Sequence, residues 1–268
     1  MSNAIPTRAE VADFTRRAMA LEDEIMALYT PFNNDFRNFV DHERNRYPEY
    51  VYQASQVFKP GARIVNLGSG TNALDPLLQK MGMDACIVDD FGDFGYADFD
   101  CKGLLERVHG ATGVDVHNLD FLNHPLPFED NSVDVILSID SLEHWYRGVR
   151  ELMAEIKRVT RVGAKMMIVV PNAAHLKHRV RAVTGRSTWA RFEEWYESEP
   201  FRGHVREPTM ADMRKLFAIN DFKVEKLEGV NIECLHRSAS AVKLGADRLL
   251  RLAPTLCSHI FITGTKIK

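Results

Sequence analysis

The sequence lacks the features that identify several large classes of protein. Its four cysteines, Cys86, Cys101, Cys234 and Cys257, form no CxxC pair and have no nearby histidine partner, so we predict neither a disulfide framework nor a metal site. No apolar run approaches the roughly 20 residues that span a bilayer, and we expect no signal peptide or membrane anchor. Internal repeats are also missing, which argues against a solenoid or a propeller.

A strong charge of either sign is absent as well. The 34 Lys and Arg residues are offset by 37 Asp and Glu residues, for a net charge of -3. This balance provides no attraction of the whole chain to nucleic acid, so we predict no nucleic-acid partner, although local peripheral contact with a membrane is compatible with it. Reduced cysteines are typical of the cytoplasm, which is the predicted location.

The hydrophobic pattern changes near Lys59. Helical spacing of apolar residues predicts a helical extension or lid over residues 1–58, whereas residues 59–268 alternate short apolar runs with helical segments. The alternation is typical of a parallel sheet with crossover helices. The predicted strands are Arg63 to Leu67, Ala85 to Val88, Val114 to His117, Val133 to Ser138, Lys165 to Val170, Phe222 to Leu227 and Ile260 to Thr265.

The first strand runs into a glycine-containing loop. Gly68 and Gly70 follow it directly, which lets the backbone approach a ligand closely. Asp89, 19 residues after Gly70, ends the second strand and is placed to bind a ribose diol. Gly68, Gly70 and Ala73 also satisfy the GxGxxG/A fingerprint, so the loop alone leaves an NAD-dependent oxidoreductase open.

A later block separates these alternatives. Asn118-Leu119-Asp120-Phe121, Leu126-Pro127-Phe128 and residues 131–144, ending in Leu142-Glu143-His144, follow the loop in order. Together they resemble the class I methyltransferases of small molecules, which use S-adenosyl-L-methionine (SAM). The resemblance covers about residues 62–172. It implies a doubly wound, Rossmann-like α/β fold with seven strands, mostly parallel, the last antiparallel, and a helical insertion after strand 5 at about residues 171–207.

The resemblance also implies roles for particular residues. Gly68, Ser69 and Gly70 would contact the methionine part of SAM, Asp89 the ribose, and Asp120 with Phe121 the adenine. The remaining residues expected at the cofactor are Asn66 and Ser138. Asn66 stands where the family usually has an acid, and Asn72 where it usually has a third glycine. Because Asn tolerates a left-handed backbone, the loop can keep its shape.

Methyl transfer to a hydroxyl requires a group that removes the proton. The candidates by position are Asp140, Glu143 and His144, which follow the fourth strand, and His204 in the insertion. We predict methylation at oxygen of a small-molecule or glycan acceptor, the latter by a weaker similarity to enzymes that modify glycans and lipid-linked sugars. Alternatives are the NAD-dependent oxidoreductase and a SAM-binding module without catalysis. Residues 175–191 contain basic but no acidic side chains. This segment fits either a binding site for an anionic acceptor or a solvated helix face.

Overall fold

The computed structural model describes residues 60–70, 74–92, 110–190, 192–197, 201–231 and 241–268, together with Glu24 and Ala27. The predicted helical extension over residues 1–58 lies outside these residues, except for Glu24 and Ala27, and Asn72 and Ala73 of the glycine loop also lie outside them. The division into an extension and a catalytic domain therefore stays a prediction.

The described residues form one seven-stranded sheet. Its order is β3-β2-β1-β4-β5-β7-β6. Strands β1 to β5 pair in parallel, whereas β7 is antiparallel to both β5 and β6. The strands are β1 (Arg63–Leu67), β2 (Asp84–Asp89), β3 (Asp115–Asn118), β4 (Val133–Ile139), β5 (Thr160–Pro171), β6 (Phe222–Val230) and β7 (His259–Lys266). The predicted fold class is confirmed, including the antiparallel last strand.

Helices connect the strands. They are α1 (Leu74–Lys80), α2 (Arg150–Val159), α3 (Leu176–Val183), α4 (Phe192–Glu197), α5 (Met210–Ile219) and α6 (Ala241–Arg251). Helices α3 and α4 follow β5, where a helical insertion was predicted. Two 3-10 turns, Leu142–His144 and Pro254–Leu256, complete the described elements. No helix among the described residues combines the length and apolar character needed to cross a membrane.

The central strands are buried because both faces of the sheet are covered. In β4 the buried hydrophobic residues include Val135, Ile136 and Leu137, and in β5 they run from Met166 to Val170. Such nearly continuous apolar runs are typical of strands between two helical layers. Strand order reverses between β1 and β4, and ligands of open α/β sheets bind at such a switch point, outside the carboxyl ends of the strands.

Candidate active site

The glycine loop leaves β1 at this switch point. Gly68 and Gly70 have positive φ values of 69° and 62°, a conformation that costs glycine little. The Gly70 N–H donates to Asp89 Oδ2 at 2.7 Å, and the Phe91 N–H donates to Asp89 Oδ1 at 2.7 Å. The Asp89 carboxylate at the end of β2 therefore fixes the loop after β1 and the turn after its own strand.

Beneath the loop lies a buried polar group that includes the unusual Asn66. Asn66 Nδ2 donates to both oxygens of Asp75 at 3.0 Å, and Ser69 Oγ donates to Asp75 Oδ2 at 2.5 Å. Burial raises the pKa of Asp75 to about 6, although the hydrogen bonds from Ser69 and Asn66 act in the opposite direction. The acid missing from β1 is thus replaced by one in the first turn of α1.

Two polar side-chain atoms of this region are buried without a hydrogen-bond partner among the described residues. They are Asn66 Oδ1 and Ser138 Oγ, in residues that are 1% and 0% exposed. Leaving a buried polar atom unpaired costs about 1–3 kcal/mol. Asn66 lies near the end of β1 and Ser138 near the end of β4, so both atoms belong to the two strands that flank the switch point.

Asp140 follows β4 in a strained backbone conformation. Its φ is 47°, which is uncommon for a residue other than glycine. The Asp140 N–H donates to the Val169 carbonyl at 2.9 Å, and Asp140 Oδ1 lies 3.6 Å from His259 Nε2. Strain of this kind is concentrated at functional sites, where the surrounding structure maintains it.

At the end of β3, Asp120 is held by its neighbours. It accepts hydrogen bonds from Tyr146 Oη at 2.7 Å, Asn123 Nδ2 at 2.5 Å and the Leu122 N–H at 3.0 Å. Partial burial raises the pKa of Asp120, but these hydrogen bonds outweigh burial and leave its pKa below the ordinary value. Asp120 is therefore a fixed, ionised acceptor.

Phe121 connects this side of the site to the glycine loop. Its ring packs edge-on against Trp145, with centroids 5.8 Å apart, and Trp145 Nε1 donates to Ser141 Oγ at 3.0 Å. A Cβ on Gly68 would lie 2.0 Å from that same Ser141 oxygen. Gly68 is thus required by packing within the protein as well as by the turn itself.

Residues 201–207, here called the cover segment, cross the carboxyl edge of the sheet. Arg202 forms an ion pair with Asp90 at 2.9 Å, and its guanidinium lies 5.6 Å from the centre of the Tyr146 ring. The Val205 N–H donates to the Glu143 carbonyl at 2.8 Å. The cover segment is therefore attached to the turns that follow both β2 and β4.

Glu143 and His144 lie close to His204 of the cover segment. One potential ligand atom of each lies within 4.8 Å of the others, and the two imidazole rings meet edge-on with centroids 4.8 Å apart. His144 Nδ1 bonds the Arg202 carbonyl at 2.7 Å, and His204 Nδ1 bonds Glu207 Oε1 at 2.8 Å. The two histidines predicted as catalytic are thus brought together, whereas Asp140 is placed beside His259.

Glu207 also lies beside a second pair of histidines. Its Oε2 is 3.5 Å from His178 Nδ1, and the His178 ring is stacked at an angle on His175, with centroids 4.0 Å apart. Burial raises the pKa of Glu207, but the hydrogen bond and charge of His204 outweigh this, and its pKa falls below the ordinary value. An open cleft of about 180 Å³ lies here, lined by residues that include His178, Trp189, His204 and Glu207.

Most of the predicted basic segment faces solvent. Lys177, Arg179 and Arg186 are exposed on or after α3, and Arg191 lies outside the described residues. Anion binding by this segment stays a prediction.

Three residues of the site were not singled out from the sequence. Asp75 resembles an ordinary acid in the first turn of a helix, and Arg202 and Glu207 resemble solvated charges. Their roles depend on contacts across 9 residues from Asn66 to Asp75 and 112 residues from Asp90 to Arg202. The local signal among the three is the position of Asp75, in the first helical turn after the glycine loop and five residues after Gly70.

Comparison with known proteins identifies the family of the central region. Residues 65–168 match a family model described as a methyltransferase domain. A Mus musculus protein named "Probable tRNA methyltransferase 9B" is 28% identical over 156 residues, which are 56% of this chain and 31% of that protein. An uncharacterized methyltransferase of Mycobacterium tuberculosis is 30% identical over 130 residues, 48% of each chain. The chain spans about half or less of the length of these curated relatives.

Solved structures share the fold. A methyltransferase in complex with the Trm112 activator of Haloferax volcanii is 16% identical, with a TM-score of 0.53 over 99% of this chain and 100% of that chain. A SAM-dependent methyltransferase of Thermotoga maritima is 15% identical, with a TM-score of 0.54 over 90% and 99%. The domain match over β1 to β5 therefore lies in the part of the chain whose fold these solved methyltransferases share.

Proposed function

We propose that this protein transfers the methyl group of SAM to an oxygen atom of a small-molecule or glycan acceptor. The observation that carries the proposal is the arrangement of one sheet edge. There a glycine loop fixed by Asp89 lies on the same edge as Glu143 and His144, which are close to His204 of the cover segment. SAM is the cofactor of the family to which the domain belongs, as the sequence predicted.

The residues at this edge suit SAM. Asp89 has its carboxyl group at the end of β2, where a ribose diol can donate to it. Asp120, an ionised acceptor, and the ring of Phe121 suit the adenine amino group and its apolar face. The unpaired Ser138 Oγ offers a hydrogen bond near the end of β4. When bound, SAM supplies a methyl group on a positively charged sulfur, so the protein has mainly to orient the acceptor and exclude water.

The acceptor would enter the cleft at the cover segment. A neutral His204 that donates from Nδ1 to Glu207 has Nε2 as its proton acceptor. His144 has the same arrangement, with its Nδ1 donating to the Arg202 carbonyl. In this state Nε2 of either imidazole is the proposed acceptor of the hydroxyl proton.

The alternatives differ in what supports them. The methyltransferase match gives the NAD-dependent oxidoreductase no support, whereas a SAM-binding module without catalysis would have the same edge. The expectation of no nucleic-acid partner stays a prediction, since the name of the mouse relative refers to tRNA. The cytoplasmic location also stays a prediction.

The cofactor proposal is tested by calorimetry with SAM and with NAD on wild type, Asp89→Asn and Asp84→Asn. Asp84 is the matched control, since it lies exposed at the other end of β2 and contacts Arg63 at 3.4 Å. We expect SAM to bind and NAD not to bind. Asp89→Asn should weaken SAM binding about 10- to 100-fold, because a hydrogen bond to a charged group contributes about 1.5–3 kcal/mol.

Binding of NAD instead of SAM, or equal SAM affinities for the two variants, would contradict the proposal. Turnover is then tested with methyl-labelled SAM on fractionated glycan, small-molecule and RNA extracts. Label in a hydroxyl-bearing small molecule or glycan supports the proposed acceptor, whereas label in RNA would overturn it. SAM binding without label in any fraction would favour the module without catalysis.

A further inference from the structure

We propose that Glu143, His144 and His204 bind a divalent transition-metal ion. The three side chains offer one carboxylate oxygen and two imidazole nitrogens within 4.8 Å of one another, and His204 Nε2 lies 3.8 Å from Glu143 Oε1. Two histidines and one carboxylate form a common set of ligands for zinc and for other first-row metals with open coordination positions. The spacing of the cysteines in the sequence predicted no metal site.

The orientation of both histidines is the strongest support. A carbonyl and a carboxylate can only accept, so His144 Nδ1 must donate to the Arg202 carbonyl at 2.7 Å and His204 Nδ1 to Glu207 at 2.8 Å. In a neutral ring this bond places the proton on Nδ1 and the lone pair on Nε2. Metal-binding histidines show this arrangement almost always, because the second hydrogen bond fixes the tautomer and the ring.

The backbone around the cluster is fixed too. The Glu143 carbonyl accepts hydrogen bonds from the Val205 N–H at 2.8 Å and the Arg206 N–H at 3.2 Å, so the residues flanking His204 are bound to the 3-10 turn that carries His144. Glu143 is 1% exposed. A buried carboxylate attracts a cation more strongly than an exposed one, because water screens the interaction less.

The ligand types favour one class of ion. Imidazole suits zinc, cobalt, iron and nickel, whereas magnesium and calcium prefer oxygen ligands. The described residues contain a second group with suitable spacing, Cys86, Asp115 and His117. Burial raises the pKa of the Cys86 thiol to about 12, so this thiol would remain protonated and bind metal poorly.

A metal here would specify the acceptor, a consequence that rests on the proposed function. A divalent cation held by Glu143, His144 and His204 would lower the pKa of a hydroxyl bound to it by stabilising the oxyanion, and the proton would pass to solvent. With the ion present, His144 and His204 act as ligands and not as bases. The acceptor would then be an alcohol or a diol that can enter the coordination shell through the cleft beside His204.

The test uses the full-length protein freed of metal with a chelator and titrated with Co²⁺, followed by visible absorption and calorimetry. Variants are Glu143→Gln, His204→Asn, Glu207→Gln and, as a matched control, His117→Asn. We expect one equivalent of Co²⁺, displaced by Zn²⁺ and not by Mg²⁺. Glu143→Gln and His204→Asn should weaken binding at least about 100-fold, and Glu207→Gln about 10- to 100-fold, as for residues that orient a ligand.

Equal Co²⁺ affinity in wild type and Glu143→Gln would overturn the proposal, as would loss of binding in His117→Asn alone. Near-ultraviolet circular dichroism checks that each variant keeps its fold. SAM calorimetry on the same samples separates the two proposals. Co²⁺ binding without SAM binding would refute the proposed function only, and SAM binding without Co²⁺ binding would refute the metal site only.

Discussion

Replacing Asp75 with Asn should stabilise the protein at neutral pH and change how its stability depends on pH. Asp75 is fully buried and accepts hydrogen bonds from Asn66 and Ser69. An Asn at this position has nearly the same shape. Its carbonyl can still accept one of these bonds, and its amino group can donate to Asn66 Oδ1, which has no partner among the described residues.

The magnitude follows from the pKa of Asp75. Burial raises this pKa from 3.8 to about 6 in the folded protein. Between these values the folded state holds a proton that the unfolded state has lost, so stability falls as pH rises through this interval. Each pKa unit corresponds to about 1.4 kcal/mol. Ionised Asp75 should therefore cost about 3 kcal/mol above pH 6, and none of this cost is present below about pH 4.

The measurement is urea unfolding of wild type and Asp75→Asn at several pH values between about 4 and 8. Other groups titrate in both proteins, so the informative quantity is the difference between their free energies of unfolding. We expect this difference to rise by about 3 kcal/mol in favour of the variant as pH increases, with most of the change between about pH 4 and 6. A difference that stays constant with pH would refute the reasoning.

Two further predictions concern the loop and the cover segment. Gly68 and Gly61 both have positive φ, but only at Gly68 would a Cβ meet a serine hydroxyl, at 2.0 Å. Urea unfolding should show that Gly61→Ala lowers the free energy of unfolding by about 1 kcal/mol, and that Gly68→Ala lowers it by about 1–3 kcal/mol more. Equal decreases in the two variants would contradict the packing argument. Arg202→Gln removes the ion pair with Asp90 and should speed hydrogen exchange of amides in the cover segment several-fold. Arg206→Gln changes a more exposed side chain and should leave these exchange rates unchanged. Similar exchange rates in the two variants would exclude the anchoring role of Arg202.

The fold could be predicted because its signals are local. Each strand of the sheet is a short apolar run bounded by turns, and all seven predicted strands overlap those in the structure. The differences are at strand ends. β5 begins at Thr160, five residues earlier than predicted, because Val133 of β4 pairs with Thr160 across an irregularity in the ladder. Pairing of this kind depends on the neighbouring strand and leaves little trace in the sequence of β5 itself.

The positions of the candidate site residues could be predicted best where a residue follows a strand. Gly68, Asp89 and Asp120 lie at the carboxyl ends of β1, β2 and β3, and the topology alone brings them to one edge. Asp75 and Glu207 could not be assigned in this way, because their importance depends on side-chain contacts. Asn66 shows the limit most clearly, since the sequence has an amide where the family usually has an acid, whereas the structure supplies a carboxylate from α1.

The cover segment links the two halves of the proposed site. The Arg202 side chain binds Asp90, which follows Asp89 of the proposed ribose site, and the Arg202 carbonyl binds His144. His204 Nε2 lies 3.8 Å from Glu143 Oε1. The N–H groups of Val205 and Arg206 donate to the Glu143 carbonyl, so moving His204 away from Glu143 would also weaken these two backbone hydrogen bonds. Because residues 201–207 contact the proposed ribose side and carry one proposed metal ligand, a change that detaches Arg202 should weaken both SAM binding and Co²⁺ binding, although Arg202 itself is not one of the three proposed ligands.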